Sequence, residues 1–238
     1  MNVGTPRRPS QLPDYSETCL SALVQAGLAH AISLGGAFGL LHYLDYRSTH
    51  DVDAWWSRAT TATERLQVIA AIEAALRPFG EVSTRAWGDV VSIELNRSGG
   101  KVFSFQIAER SAQLSPSTMA PWIDVPLDAL VDLVSSKMVA LVERGAPRDF
   151  RDIHALCESG LVTPEECWSL WLQRQELARS DADLRRARLA IATHLARIVQ
   201  HRRLDQVVDP VARGQAERVR TWFAEVFMDA SDDNGAMD

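Results

Sequence analysis

Two aspartates separated by one residue, Asp51 and Asp53, offer the plainest chemistry in this sequence. In an extended strand residues i and i+2 face the same side, which sets both carboxylates on one face about 7 Å apart along the chain. Paired carboxylates suit a hard divalent cation. Mg²⁺ is held by one or two of them while water and substrate phosphates complete its shell, and Mn²⁺ accepts the same oxygen donors. Upstream, Gly35-Gly36 follows the short strand expected at Ala31-Ile32-Ser33-Leu34 and precedes a helical stretch over residues 37–44. Glycine permits a backbone approach that a Cβ would block, and the amides that open a helix attract anions. Phosphate-binding amides and metal-binding carboxylates are therefore expected side by side.

A second candidate lies in the helix expected after Pro126, where Leu127, Leu130, Val134, Met138 and Leu141 form an inner stripe with Lys137 inside it. An ammonium on a buried face is costly unless paired. Lys101 and Lys137 are the only lysines among 25 lysines and arginines, which suggests that a compact point charge is wanted here rather than a planar fork. The alternative is a stem packed along the core with its amine reaching water. Asp149 and Asp152 share a face of the helix expected after Pro147, and either could hold Lys137. Asp149 could equally be a favourable charge at that helix's N-terminus, worth about 0.3–1 kcal/mol.

Gly35-Gly36 with Arg47-x-Thr49-x-Asp51-Val52-Asp53, followed by the run from Lys137 to Arg144 and by Pro147-Arg148-Asp149-Phe150-Arg151-Asp152, resembles the ordered signatures of the AbiEii/AbiGii-type toxins among polymerase-β-like nucleotidyltransferases. The resemblance covers roughly residues 30–156. It implies an α+β fold in which a small mixed sheet with flanking helices carries the nucleotide site and a C-terminal helical domain follows. It also implies Mg²⁺-dependent transfer of a nucleoside monophosphate from an NTP to RNA, with the tRNA 3′ end as the leading acceptor. The protein would be the toxin of a toxin–antitoxin system, and a co-encoded antitoxin its partner. In that scheme Asp51 and Asp53 bind the metal, with Glu94 as a third carboxylate. Gly35, Gly36, Ala37, Arg47, Thr49 and Lys137 bind the nucleotide, and Lys137, Asp149 and Asp152 join the aspartate pair in catalysis.

Two positions depart from the family pattern. Ala37 stands where Ser or Thr commonly offers a hydroxyl, a loss of about 1.5–3 kcal/mol toward a charged partner. Gln106 stands on a later strand where a carboxylate is common, which leaves Glu94 or the aspartates alone for the metal. Both departures keep open a degenerate member that binds nucleotide or RNA without turnover, and a protein hydroxyl is an alternative acceptor.

The 238 residues are 46% hydrophobic, enough for a core, and the net charge of −6 argues against indiscriminate coating of nucleic acid. No apolar run approaches the roughly 18 residues of a membrane span, and Met1 to Pro13 is too polar for a signal peptide, so a cytoplasmic protein is expected. Cys19, Cys157 and Cys167 lack metal-ligand spacing and read as reduced thiols. Further helices are expected over residues 15–29, with Leu20, Leu23, Val24 and Leu28 on one face, and over residues 61–76, with a stripe of Leu66, Ile69, Ile72 and Leu76. A hairpin is expected from Val91, Ile93 and Leu95 against Phe103, Phe105 and Ile107. Prolines 116, 121 and 126 place the boundary near residue 122, giving a nucleotidyltransferase-like domain over 14–122, a helical domain over 123–229, and disordered tails over 1–13 and 230–238. Between residues 170 and 203 eight arginines face three acids, with Leu177, Leu184, Ile191 and Ile198 at sevenfold spacing. Arg185, Arg186 and Arg188 in this stretch could track RNA phosphates, or the stretch could be a solvated helix face.

Overall fold

A computed structural model describes residues 4–230. The chain divides into two compact units, Gly4–Leu133 and Val134 onward.

The first unit is built on a seven-stranded sheet. In chain order its elements are α1 (Ser16–Gln25), β1 (Ile32–Leu34), α2 (Gly36–Leu41), β2 (Asp51–Trp56), α3 (Ala62–Leu76), β3 (Glu81–Trp87), β4 (Val90–Arg97), β5 (Gly100–Ala108), β6 (Thr118–Met119) and β7 (Pro126–Leu127). The strand order is β3-β4-β5-β2-β1-β7-β6. β2 runs antiparallel to β1 and parallel to β5, so the sheet is mixed. Ser98 and Gly99, both at positive φ, turn β4 into β5, and the expected hairpin face is buried: Ile93, Leu95, Phe103, Phe105 and Ile107. Leu20 and Leu23 of α1 and Val68, Ile72 and Leu76 of α3 pack into the same core.

Several expectations shift. α1 and α2 are shorter than expected, and Leu127, taken as the first residue of a helical stripe, is a strand residue paired with Leu34. Leu66 is 68% exposed and Val68 is fully buried, because two helical positions differ by about 200° and the buried row of α3 runs 68, 72, 76. β3 carries no apolar alternation and lies largely exposed at the sheet edge. The unit boundary falls at Leu133, past the proline loop, because β6 and β7 extend the sheet beyond residue 122. The tail expected to be disordered is pinned where it is described: the Arg7 amide donates to the His42 carbonyl at 2.7 Å, and the Ser10 amide to Asp45 at 3.2 Å. Residues 1–3 and 231–238 of the expected tails lie outside the described residues.

The second unit is helical: the rest of α4 (Leu130–Glu143), then α5 (Pro147–Glu158), α6 (Pro164–Ala178), α7 (Leu184–His201) and α8 (Pro210–Trp222). Thr163, Asp183 and Asp209 cap the last three through their side chains. Its core is aromatic. Phe223 meets Phe150 at 4.7 Å and Phe227 at 4.8 Å between ring centroids.

His42 ties the first unit to pH. Its imidazole is fully buried, with Nδ1 at 3.0 Å from the Phe38 carbonyl and Nε2 at 3.0 Å from the Trp122 indole nitrogen. Only the neutral ring, donating from Nδ1 and accepting at Nε2, satisfies both bonds, and burial lowers the pKa from 6.5. Its contribution to stability is therefore complete above about pH 6.5 and is lost as pH falls toward the lowered folded-state pKa. Thermal melts from about pH 7.5 to about pH 5 should give a flatter profile for His42→Gln than for wild type. Parallel profiles would contradict this role.

Candidate active site

The alternation of β2 buries Val52, Ala54 and Trp56 in the core and leaves Asp51, Asp53 and Trp55 half-buried on the opposite face. Gly35 continues β1 past Leu34, its amide donating to the Asp53 carbonyl at 2.9 Å. Gly36 then turns with φ 57° and opens α2. A Cβ on Gly36 would lie 2.6 Å from Asp53 Cγ, and one on Gly35 would lie 2.9 Å from Trp55 Cδ1. Positive φ and this contact exclude side chains at Gly36 for independent reasons. The glycine backbone thus rests directly on the carboxylate face.

Pairing with β5 sets Ser104 opposite Asp51 and Gln106 opposite Asp53, and β4 adds Glu94 opposite Ser104. The buried Ser104 hydroxyl donates to Asp51 Oδ1 at 2.7 Å, and Gln106 Nε2 approaches Ser104 Oγ at 3.5 Å. Ser104 orients one carboxylate and escaped the sequence reading. Its signal was a hydroxyl between Phe103 and Phe105, on the face where a polar residue is usually solvated. Glu94 lies two strands from Asp51, about 9–10 Å at ordinary strand spacing, so the fold does not bring it to the pair. Among the described residues no group of three or more His, Cys, Asp or Glu is placed to hold a metal. Two carboxylates still fit Mg²⁺, which takes its remaining oxygens from water and phosphate.

Ala37 is 6% exposed, so its position offers a ligand backbone and little side chain. Arg47 and Thr49 stay in the loop before β2. Arg47 Nη1 donates to the Ser48 carbonyl at 3.1 Å and its guanidinium lies 5.6 Å from the Tyr46 ring, while Thr49 Oγ1 is 3.5 Å from the Asp51 amide nitrogen. His50 is exposed.

In the helical unit the lysine question has an answer. Lys137 is 7% exposed, and its Nζ meets Asp152 Oδ2 at 2.7 Å. The amine does not snorkel. Asp149, also fully buried, grips Arg144 through two bonds of 2.9 Å and accepts the Ala146 amide at 3.1 Å, so it caps α5 and anchors an arginine. The two aspartates thus divide their work, Asp152 to Lys137 and Asp149 to Arg144.

The arginine stretch is less open than its composition suggests. Arg186 is paired with Asp181 at 2.8 Å and Asp183 at 3.3 Å, and Arg188 is half-buried with its guanidinium 5.4 Å from the Trp168 ring. Arg185 is exposed. The sevenfold stripe is broken: α6 ends at Ala178, Leu177 is 54% exposed, and Ile191 alone of the four is fully buried.

Gly36→Ala should leave the fold standing but abolish nucleotide binding, since either the turn or Asp53 must move. Titration with an NTP and Mg²⁺ checks it, and wild-type affinity would contradict it. Lys137→Met should lower stability by about 3–5 kcal/mol, because it strips a buried carboxylate of its cation. Adding Asp152→Asn should recover part of that loss in urea unfolding. A change under about 1 kcal/mol would fit an exposed pair instead.

Comparison with known proteins adds an independent finding. No curated protein matches this sequence. Among solved structures the chain is similar to an antigenic nucleotidyltransferase-like protein from Paracoccidioides brasiliensis, at 17% identity and a TM-score of 0.39, over 90% of this chain and 95% of that one. The family model described as "Nucleotidyl transferase AbiEii toxin, Type IV TA system" matches residues 86–232. That span holds Lys137, Asp149 and Asp152, while Gly35, Gly36, Asp51 and Asp53 precede it. It exceeds half the chain, and the chain therefore belongs to the AbiEii family of nucleotidyltransferase toxins of type IV toxin–antitoxin systems.

Proposed function

We propose that this protein transfers a nucleoside monophosphate from an NTP to an RNA acceptor, the 3′ end of tRNA first among candidates, in a reaction that depends on Mg²⁺ or Mn²⁺. One observation carries the reading: the Gly36 backbone abuts the Asp53 carboxylate on the face where Ser104 holds Asp51. Asp51 and Asp53 would hold the cation, whose charge would draw the α-phosphate toward an attacking hydroxyl. The glycine turn, free of side chains, cradles the phosphates through its backbone. Lys137, ion-paired to Asp152 at 2.7 Å, is the residue to which the family signature would assign neutralisation of charge on the triphosphate. Arg144 and Asp149 brace the start of α5, a structural task within the helical unit. A co-encoded antitoxin would restrain the activity, as membership in a toxin–antitoxin family implies.

Gln106 opposite Asp53 favours a second reading, in which the site binds nucleotide but does not turn it over. An assay with each labelled NTP, Mg²⁺ and total RNA or protein separates the two. Incorporation should occur, and Asp51→Ala and Asp53→Ala should each reduce it at least ~100-fold. Binding without incorporation into either acceptor would establish the second reading. Equal activity in wild type and Asp53→Ala would remove the metal assignment.

A further inference from the structure

A buried arginine lies next to the glycine turn, outside every signature residue. Ser33 pairs with Trp55 across β1 and β2, on the same face as Gly35 and about 7 Å before it. Arg110, just past β5, reaches this place. Its Nη2 donates to Asp128 Oδ1 at 2.8 Å and to Ser33 Oγ, and its Cζ lies 5.8 Å from the Trp55 ring centroid. The side chains of Arg110 and Asp128 are 5% and 2% exposed. Asp128 is itself fixed, accepting from Ser33 Oγ at 2.8 Å while its amide donates to the Leu34 carbonyl at 2.9 Å. The other buried acid nearby, Asp132, accepts the amides of Leu114 and Ser115 at 2.7 and 2.9 Å.

A guanidinium carries five N–H donors, and among the described residues the hydrogen bonds of Arg110 all leave from Nη2. Its Nε and Nη1 hydrogens remain to donate, with the group held in place by the Asp128 pair. Each can give a charge-assisted hydrogen bond to a separate phosphate oxygen, and a guanidinium fixed before a ligand arrives loses little freedom on binding. Position decides which phosphate. Along the open face the order is Asp51, then Asp53 beside Gly35, then Trp55 beside Ser33 and Arg110. We propose that Arg110 binds the terminal phosphates of a nucleoside triphosphate, with Asp128 and Ser33 as its positioning residues. This rests on the nucleotidyltransferase reading and extends it, since an α-phosphate at the aspartates would send the rest of the triphosphate toward Arg110.

The test compares affinity for the four NTPs, the matching monophosphates and inorganic tripolyphosphate, all with Mg²⁺, in wild type, Arg110→Met, Arg110→Lys and Asp128→Asn. Wild type should prefer triphosphates. Arg110→Met should weaken NTP and tripolyphosphate binding about 10–100-fold with monophosphate affinity unchanged, and Arg110→Lys should lose less. Asp128→Asn should also lower the preference for triphosphates, because the guanidinium is no longer oriented. If Arg110→Met fails to fold, the same ratio in the two milder variants decides. An unchanged triphosphate preference in every folded variant would overturn the proposal, as would a wild type with no such preference. Wild type that shows an Arg110-dependent preference but incorporates no label would refute nucleotidyl transfer and leave this assignment standing. Transfer by wild type with unaltered ratios in the variants would refute Arg110 alone.

Discussion

A missing Cβ at Gly36 sets the terms for the rest of the first unit. The backbone there turns at positive φ and lies against Asp53 so closely that the smallest side chain would collide with the carboxylate. The contact is possible only because β1 and β2 are neighbours in register, with Leu34 opposite Ala54 and the Gly35 amide bonded to the Asp53 carbonyl. The pairing of β1 with β2, the alternation of β2 and the turn at Gly36 together set a bare stretch of backbone against the Asp53 carboxylate. A phosphate with its cation suits such a place, since helix-opening amides favour the anion and the acids favour the metal.

The helical unit meets a different electrostatic demand. Two buried aspartates three residues apart on α5 would destabilise the unit if left as bare charges, and each is given its own cation. Asp152 takes Lys137, which is almost fully enclosed, and Asp149 takes Arg144, whose side chain is 51% exposed. The unequal exposure matters. A lysine held inside a packed stripe cannot wander and stays a point charge, whereas an arginine at a surface works as a clamp on the helix start. The pairing with Asp152 explains how Lys137 is tolerated among Val134, Met138 and Leu141.

The parts of this architecture that were legible in the sequence are those where a period or a paired motif repeats a physical rule. Alternation in Val91 to Leu95 and Phe103 to Ile107 marked the hairpin, and Asp51-Val52-Asp53 after Gly35-Gly36 marked the carboxylate face. Other features depend on partners far along the chain. Ser33, Arg110 and Asp128 meet from β1, the segment after β5 and the segment after β7, and no local pattern links them. β6 and β7 have two residues each, β7 pairing with the edge of β1 and β6 with β7 in turn. Glu94 satisfied the alternation rule yet sits two strands away from Asp51, because alternation fixes the face and not the neighbour. The arginines between residues 170 and 203 illustrate the limit of counting charge, since Asp181 and Asp183 already engage Arg186.

Following the position of a label through one turnover tests the central claim most directly. With RNA, Mg²⁺ and an NTP labelled at the α-phosphate, the account predicts label covalently attached to RNA and release of unlabelled pyrophosphate. With the γ-phosphate labelled, all label should leave as pyrophosphate. Retention of γ-label on the acceptor would mean phosphoryl rather than nucleotidyl transfer and would contradict the account, as would α-label incorporation that persists undiminished in Asp51→Ala.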